Sequence, residues 1–273
     1  MWSHIENAPS IDEILHPSVR ECLRFLKINK GVAINHDGDL PARSGMGSSS
    51  CFTVGLLNAL HTFKGEQLTK MSLANEAIYI EQDVLKEKIG NQDQIASACG
   101  GLNLIEFFGL TTMPFRFRRI NIDEERSKLL QDHLMLMFTG LRHFSNQITK
   151  TYQFATGTLK ELYQLVFDGV SILECGNLVD FGRLLDVSWS LKRQLSKEIS
   201  TTYIDFLYQT ARKAGAIGGK LLGAGGGGFL LVFCEPDKQG AVEKALNIPR
   251  VLFRFENKGT HIIANGGMDG ITN

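Results

Sequence analysis

An excess of charge of either sign is missing from this 273-residue chain: 29 basic side chains balance 29 acidic ones. With a formal net charge of zero, no long-range field steers the protein toward nucleic acid or an anionic membrane, so phosphate-bearing ligands must be held by local geometry. Cysteine is scarce as well. Cys22, Cys51, Cys99, Cys175 and Cys234 are odd in number, scattered and without a Cys-x-x-Cys pair. That argues against a disulfide framework or a zinc site, and for reduced thiols in the cytoplasm. The seven histidines fall at no metal-binding spacing, and no Ser-His-Asp constellation stands out. Met1-Trp2-Ser3-His4-Ile5-Glu6 lacks the basic and apolar regions of a signal peptide, and no apolar run is long enough to span a bilayer. The expectation is a cytoplasmic protein with neither a nucleic-acid nor a membrane partner.

What is present suits an ordinary globular chain, with 43% hydrophobic and 21% charged residues and enough length for one large domain or two modest ones. Apolar periodicity predicts helices over 10–26 (interrupted at His16-Pro17), 48–63, 72–88, 145–165, 177–194, 203–214 and 242–246. Strands are predicted over 32–34, 102–108, 115–122, 134–138, 229–234, 252–255 and 261–264. Strands mixed with helices, without a regular βαβ beat, indicate an α+β fold.

The most informative stretch is Pro41-Ala42-Arg43-Ser44-Gly45-Met46-Gly47-Ser48-Ser49-Ser50, which runs straight into an apolar helix. Two glycines allow a tight bend and close backbone approach to a ligand. Serines at a helix mouth place free N–H groups and the positive end of the helix dipole where an anion is favoured, although the same residues serve equally as a plain helix cap. It is not a Walker A loop, since no Gly-Lys-Ser/Thr closes it. The only Gly-Gly-Lys in the chain, Gly218-Gly219-Lys220, is followed by Leu221.

Glu81 follows from helical phase. At about 100° per residue from Leu73, it lands near about 80°, inside the arc of Ala77, Ile80, Val84, Leu85 and Ile78. A carboxylate on a core face needs a partner, either a buried arginine or a metal. Asp93, in Gly90-Asn91-Gln92-Asp93-Gln94, reads on pattern as a cap for a short helix. The glycines from Gly223 to Gly228, Gly225, Gly226 and Gly227 among them, lie between Leu221-Leu222 and Phe229-Leu230-Leu231. Apolar walls suggest a backbone held against something rather than a linker. Lys220 could reach a phosphate or be solvated. Arg142 and Arg43 could grip a phosphate bidentately or be surface charges.

Pro-x-x-x-Gly-x-Gly-Ser-Ser, then Gly90-Asn91-Gln92-Asp93-Gln94 with Gly100-Gly101, then the loop from Gly218 to Phe229, resemble in order the three motifs of the GHMP kinases. The wording from Ile11-Asp12-Glu13-Ile14 and His16-Pro17-Ser18-Val19-Arg20-Glu21 onward is most similar to the D-glycero-D-manno-heptose 7-phosphate kinases within that family. The resemblance covers nearly the whole chain. It implies a two-domain α+β fold, with a ribosomal protein S5 domain 2-like N-terminal part over 1–122 and a ferredoxin-like C-terminal part over 123–273. ATP and substrate are expected at the junction of the two. It implies ATP and Mg²⁺ as cofactors and phosphoryl transfer to the anomeric hydroxyl of a phosphorylated sugar, for nucleotide-activated heptose. Asp93 would serve the acceptor hydroxyl, Ser49 and Glu81 the metal, and Arg43, Ser44, Gly45, Met46, Gly47, Ser48, Ser49 and Ser50 the nucleotide. Arg142, Lys220, Gly225, Gly226 and Gly227 would serve the sugar. The family's first motif, a Gly-Gly-Gly-Thr-Asp-like turn, has no counterpart in Met1 to Asn35, so either a truncated N-terminus or a reading frame started too late is expected. A fucokinase-like sugar 1-kinase, or a nucleotide-binding fragment without turnover, are the alternatives; a homodimer is a further expectation.

Overall fold

Helix starts are set by side chains that accept the first free amides. Thr69 Oγ1 accepts from Ser72 N at 3.1 Å, Asp123 Oδ1 from Arg126 N at 2.7 Å, Asn177 Oδ1 from Val179 N at 3.0 Å and Thr201 Oγ1 from Ile204 N at 3.2 Å. Pro17 and Pro236 open two more helices, where a missing N–H costs nothing. The computed structural model describes residues 5–29, 31–40, 45–108, 115–141, 148, 150–153 and 156–266.

The chain divides into two compact units: 1–40, 47–101 and 256–273 form the first, and 41–46 with 102–255 the second. In the first, α1 (Pro17–Phe25), α2 (Ser48–Phe63), α3 (Lys70–Ile78) and α4 (Gln92–Cys99) pack together. After Ile78 the helix widens into a π-helical segment, Tyr79–Val84, with Leu85 N bonding Ile80 O at 2.9 Å. Such widened turns recur at functional sites. The extra residue per turn shifts the apolar stripe: Leu73, Ala77 and Ile80 are buried as expected, but Val84 is exposed. The 256–260 segment returns to this unit, where Gly101 N donates to Glu256 O at 2.6 Å and Thr260 N to Ser97 O at 2.9 Å.

The second unit begins with an antiparallel hairpin, β1 (Asn103–Phe107) against β2 (Phe115–Arg119). A four-stranded antiparallel sheet follows, built from β3 (Leu134–Phe138), β4 (Gly218–Leu221), β5 (Phe229–Phe233) and β6 (Arg250–Val251) in the order β4-β5-β3-β6. Register is Leu134 opposite Phe233 and Phe138 opposite Phe229. Both faces of β3 and β5 are covered, so these two strands read as unbroken apolar runs. Met135, Met137, Leu230 and Val232 meet α8 (Thr202–Lys213) and α9 (Pro236–Leu246) through Ile204, Leu207, Tyr208 and Val242. Leu134 and Phe233 meet α6 (Thr156–Cys175) and α7 (Leu178–Gln194) through Val170, Leu173 and Leu185, together with Leu104 and Ile120 of the hairpin segment. α5 (Glu124–Asp132) leads into β3.

Three expected strands do not form. Val32 to Ile34 is irregular, as are 252–255 and 261–264. No neighbouring strand offers them a ladder among the described residues, and Leu252 and Ile263 are 84% and 91% exposed. Apolar content without a partner does not make a strand. All five cysteines are free, and no helix among the described residues is long and apolar enough to cross a membrane.

Candidate functional site

The start of α2 differs from the helix starts above. Its cap is Gly47, at φ 67° in the left-handed region, and among the described residues no side chain bonds its first amides. The amides of the first turn, from Ser48 onward, therefore have no side-chain partner among the described residues, an arrangement that favours an anion. None of the three serine hydroxyls caps the helix. Ser49 is exposed, whereas Ser50 is buried and donates to Glu81 Oε2 at 2.9 Å.

Glu81 has no exposed surface. Its carboxylate accepts from Ser50, from Thr53 Oγ1 at 3.0 Å and from Gln94 Nε2 at 2.5 Å. Thr53 lies one helical turn after Ser49, whose carbonyl oxygen stands 3.2 Å from the same hydroxyl and shares its single proton. No arginine bonds Glu81 among the described residues, so its environment is three neutral donors and no counter-charge. Burial pushes its carboxyl above the usual value, and the three hydrogen bonds oppose that only in part. The arrangement brings Glu81 to Ser50 rather than to Ser49.

Asp93 is half-buried in the first turn of α4, beside the residue that anchors Glu81. Burial raises its pKa, and the one hydrogen bond to it among the described residues, from Gln92 Nε2 at 3.4 Å, is long. Gly47 faces it: a Cβ there would stand 2.9 Å from Asp93 Cγ. The uncapped amides of α2, Glu81 and Asp93 therefore occupy one corner of the first unit. Among the described residues no group of three histidine, cysteine, aspartate or glutamate side chains could hold a metal. A Mg²⁺ ion needs less, since it binds through one or two carboxylates and otherwise through water and substrate phosphates. The hard oxygens of Glu81 and the serines suit it chemically. With Glu81 fully covered, a cation reaching its carboxylate has to displace one of the three donors.

In the second unit the glycine loop is packed, not loose. A Cβ on Gly225 would fall 2.7 Å from Ile199 Cα, and one on Gly227 would fall 2.8 Å from Leu141 Cβ. Gly226 N donates to Ile199 O and Gly228 N to Leu141 O, each at 2.9 Å, and Thr139 Oγ1 donates to Gly228 O at 2.7 Å. Gly223 abuts Gly45, its hypothetical Cβ lying 2.9 Å from Gly45 Cα. Gly218 has a different task, since its Cβ would run into Gly182 of α7. Lys220 donates to Ser188 Oγ at 3.4 Å and lines a largely apolar cavity of about 210 Å³. Burial lowers its pKa. Sequence reasoning passed over Lys192, which donates to Gly223 O at 2.5 Å and Leu221 O at 3.3 Å. It also passed over Thr53 and Gln94, whose only sequence signals are helical spacing from Ser49 and adjacency to Asp93. Pro41, Ala42, Arg43, Ser44 and Arg142 lie outside the described residues.

Comparison with known proteins decides the family. The sequence model for the GHMP kinases N terminal domain matches residues 17–101, and that for the GHMP kinases C terminal matches 160–249. The chain belongs to the GHMP kinases. It has their two-domain α+β fold. A D-glycero-alpha-D-manno-heptose 7-phosphate kinase of Campylobacter jejuni is 29% identical over 231 residues, 81% of this chain and 67% of that protein. An L-fucokinase/L-fucose-1-P guanylyltransferase of Bacteroides fragilis is 25% identical over 270 residues, 91% of this chain and 27% of that protein. This GHMP kinase chain thus spans about two thirds or less of the length of these curated relatives. Among solved structures, a D-glycero-D-manno-heptose 1-phosphate kinase from Bacteroides thetaiotaomicron gives a TM-score of 0.71 at 25% identity. That match covers 94% of this chain and 74% of the other.

Proposed function

We propose that this GHMP kinase transfers the γ-phosphoryl group of ATP to the anomeric hydroxyl of D-glycero-D-manno-heptose 7-phosphate, giving the 1,7-bisphosphate for nucleotide-activated heptose. The observation that carries this reading is the corner holding the uncapped α2 amides, buried Glu81 and Asp93. The choice of sugar is supported by the likeness to the two heptose phosphate kinases.

Phosphoryl transfer demands positioning and charge neutralisation more than covalent chemistry. Asp93 accepts the proton of the anomeric hydroxyl as that oxygen bonds to the γ-phosphorus and the bond to the β–γ bridging oxygen breaks. A carboxyl whose pKa is raised by burial is a better proton acceptor than a solvated one. Residues Arg43 to Ser50 receive the triphosphate, with the amides of Gly45, Gly47 and Ser48 toward its oxygens. Mg²⁺, when bound, supplies neutralisation of phosphate charge, and Ser49 and Glu81 would hold it. Gly225, Gly226 and Gly227 shape the acceptor side, and Arg142 and Lys220 serve the sugar's existing phosphate. The domain boundary near residue 122, a cytoplasmic location and a homodimer belong to the same proposal.

The likeness to the fucokinase favours a second reading, a sugar 1-kinase whose acceptor carries no phosphate. ATP turnover with heptose 7-phosphate, the unphosphorylated heptose and L-fucose tests both readings. Turnover restricted to the phosphorylated heptose supports the first, and turnover with fucose supports the second. ATP binding with no turnover on any sugar makes the chain a nucleotide-binding fragment and overturns both.

A further inference from the structure

Ser188 and Lys192 stand four residues apart on α7, hence on one helical face. Gly218 and Lys220 stand two apart on β4, hence on one strand face. The two faces meet: Gly218 abuts Gly182, Lys220 Nζ reaches Ser188, and Lys192 Nζ reaches the carbonyls of Leu221 and Gly223. Two ammonium groups therefore sit at the entrance of the glycine loop. Among the described residues neither has a carboxylate partner. Asp186 and Asp205 are engaged elsewhere, Asp186 by Tyr208 and Arg212, and Asp205 by Arg193 and Ser200. From α6, Leu162, Leu165, Val166 and Gly169 line the cavity beside Lys220, and none of them titrates. The glycine loop and β5 bring no titratable side chain either.

Two amines placed together without an acid have no counter-charge when protonated, and an anion supplies one. Lys192 is only partly covered and spends its ammonium on two carbonyls, so a proton donor remains for an incoming ligand. Burial and then the charge of Lys220 bring the Lys192 pKa down to about 7.

We propose that Lys192, backed by Lys220, is a binding subsite for a phosphoryl dianion at the glycine loop. The identity of that dianion rests on the kinase reading above; it is either the phosphate already on the sugar or a nucleotide phosphate. Calorimetric titration of the full chain with heptose 7-phosphate, ADP and pyrophosphate between pH 6.5 and 8.5 tests it, using Lys192→Met and Lys192→Arg. Loss of one charge-assisted hydrogen bond predicts about tenfold or greater weakening in Lys192→Met at pH 6.5. Lys192→Arg is expected to restore binding. Wild-type affinity should fall as pH rises through 7, whereas the arginine variant, charged throughout, should hold its affinity.

Weakening confined to heptose 7-phosphate assigns the sugar's phosphate, and weakening confined to ADP assigns the nucleotide. Pyrophosphate reports on the subsite even if neither substrate binds. The proposal is overturned if Lys192→Met, folded by circular dichroism, binds all three ligands within twofold of wild type. It is equally overturned if wild type binds none of them, or if the pH dependence is the same in wild type and Lys192→Met. Turnover by wild type that survives in Asp93→Asn would instead fail the kinase reading's assignment of the base and leave this subsite standing.

Discussion

Gly47 and Asp93 are in contact across the start of α2, such that a β-carbon on the glycine would lie 2.9 Å from the aspartate's carboxyl carbon and 3.1 Å from its Oδ2. The glycine of one motif makes room for the carboxylate of the next. Gly47 also sits at φ 67°, where an L-residue costs roughly 1–2 kcal/mol. Gly47→Ala is therefore expected to lower the thermal midpoint by several degrees and to displace Asp93. If Asp93 is the base, turnover measured well below the midpoint should fall by more than the unfolded fraction explains. Unchanged turnover and midpoint would show that the contact does not matter.

Asp93 itself should separate activity from stability. Its carboxyl accepts one long hydrogen bond, and burial makes its charge unfavourable in the folded state. Asp93→Asn should therefore unfold at the same urea concentration as wild type, or a higher one, at pH 7. If Asp93 is the base, its loss should lower kcat by about 10²–10⁴. A variant that unfolds earlier would mean that Asp93 holds structure we have not attributed to it.

Burial raises the Glu81 carboxyl above its ordinary value, so the folded protein holds that proton more tightly than the unfolded chain does. The contribution to stability is then fully present below the unfolded pKa and is lost as pH rises through the folded one. Urea midpoints of wild type minus those of Glu81→Gln should accordingly decline from about pH 4 toward neutrality. Mg²⁺ with ATP should raise the wild-type midpoint more than that of the variant. Equal responses to Mg²⁺ would remove Glu81 from the metal's ligands.

Much of this was written plainly in the chain, and the misses have physical causes. Leu134–Phe138 and Phe229–Phe233 read as strands because both of their faces are covered. The burial of Glu81 followed from helical phase, and it held because the π-helical turn begins only two residues before it. Val84, three residues further on, was misplaced by the same turn. That Ser50, Thr53 and Gln94 converge on Glu81 depends on how α2, α3 and α4 pack, and single-sequence periodicity carries no such information. Lys192 left no trace at all: a lysine near the end of an amphipathic helix looks solvated until the strand carrying Lys220 is laid against it.

The glycine loop offers the sharpest test of what its glycines are for. Gly225 has φ 128°, and a Cβ on it would press 2.7 Å from Ile199 Cα and 2.9 Å from Ile199 O. Both atoms are backbone, so neither can swing aside as a side-chain tip would. Gly226 N already bonds that same Ile199 carbonyl, which ties the loop to the turn before α8. Gly225→Ala should therefore cost about 1–3 kcal/mol through strain and a displaced loop. Gly240→Ala, in α9 with nothing within 4 Å, should gain a few tenths of a kcal/mol from helix propensity. Urea unfolding of the pair distinguishes a packed loop from a flexible one. If both variants unfold together with wild type, the loop is not held against Ile199, and its glycines serve only the ligand.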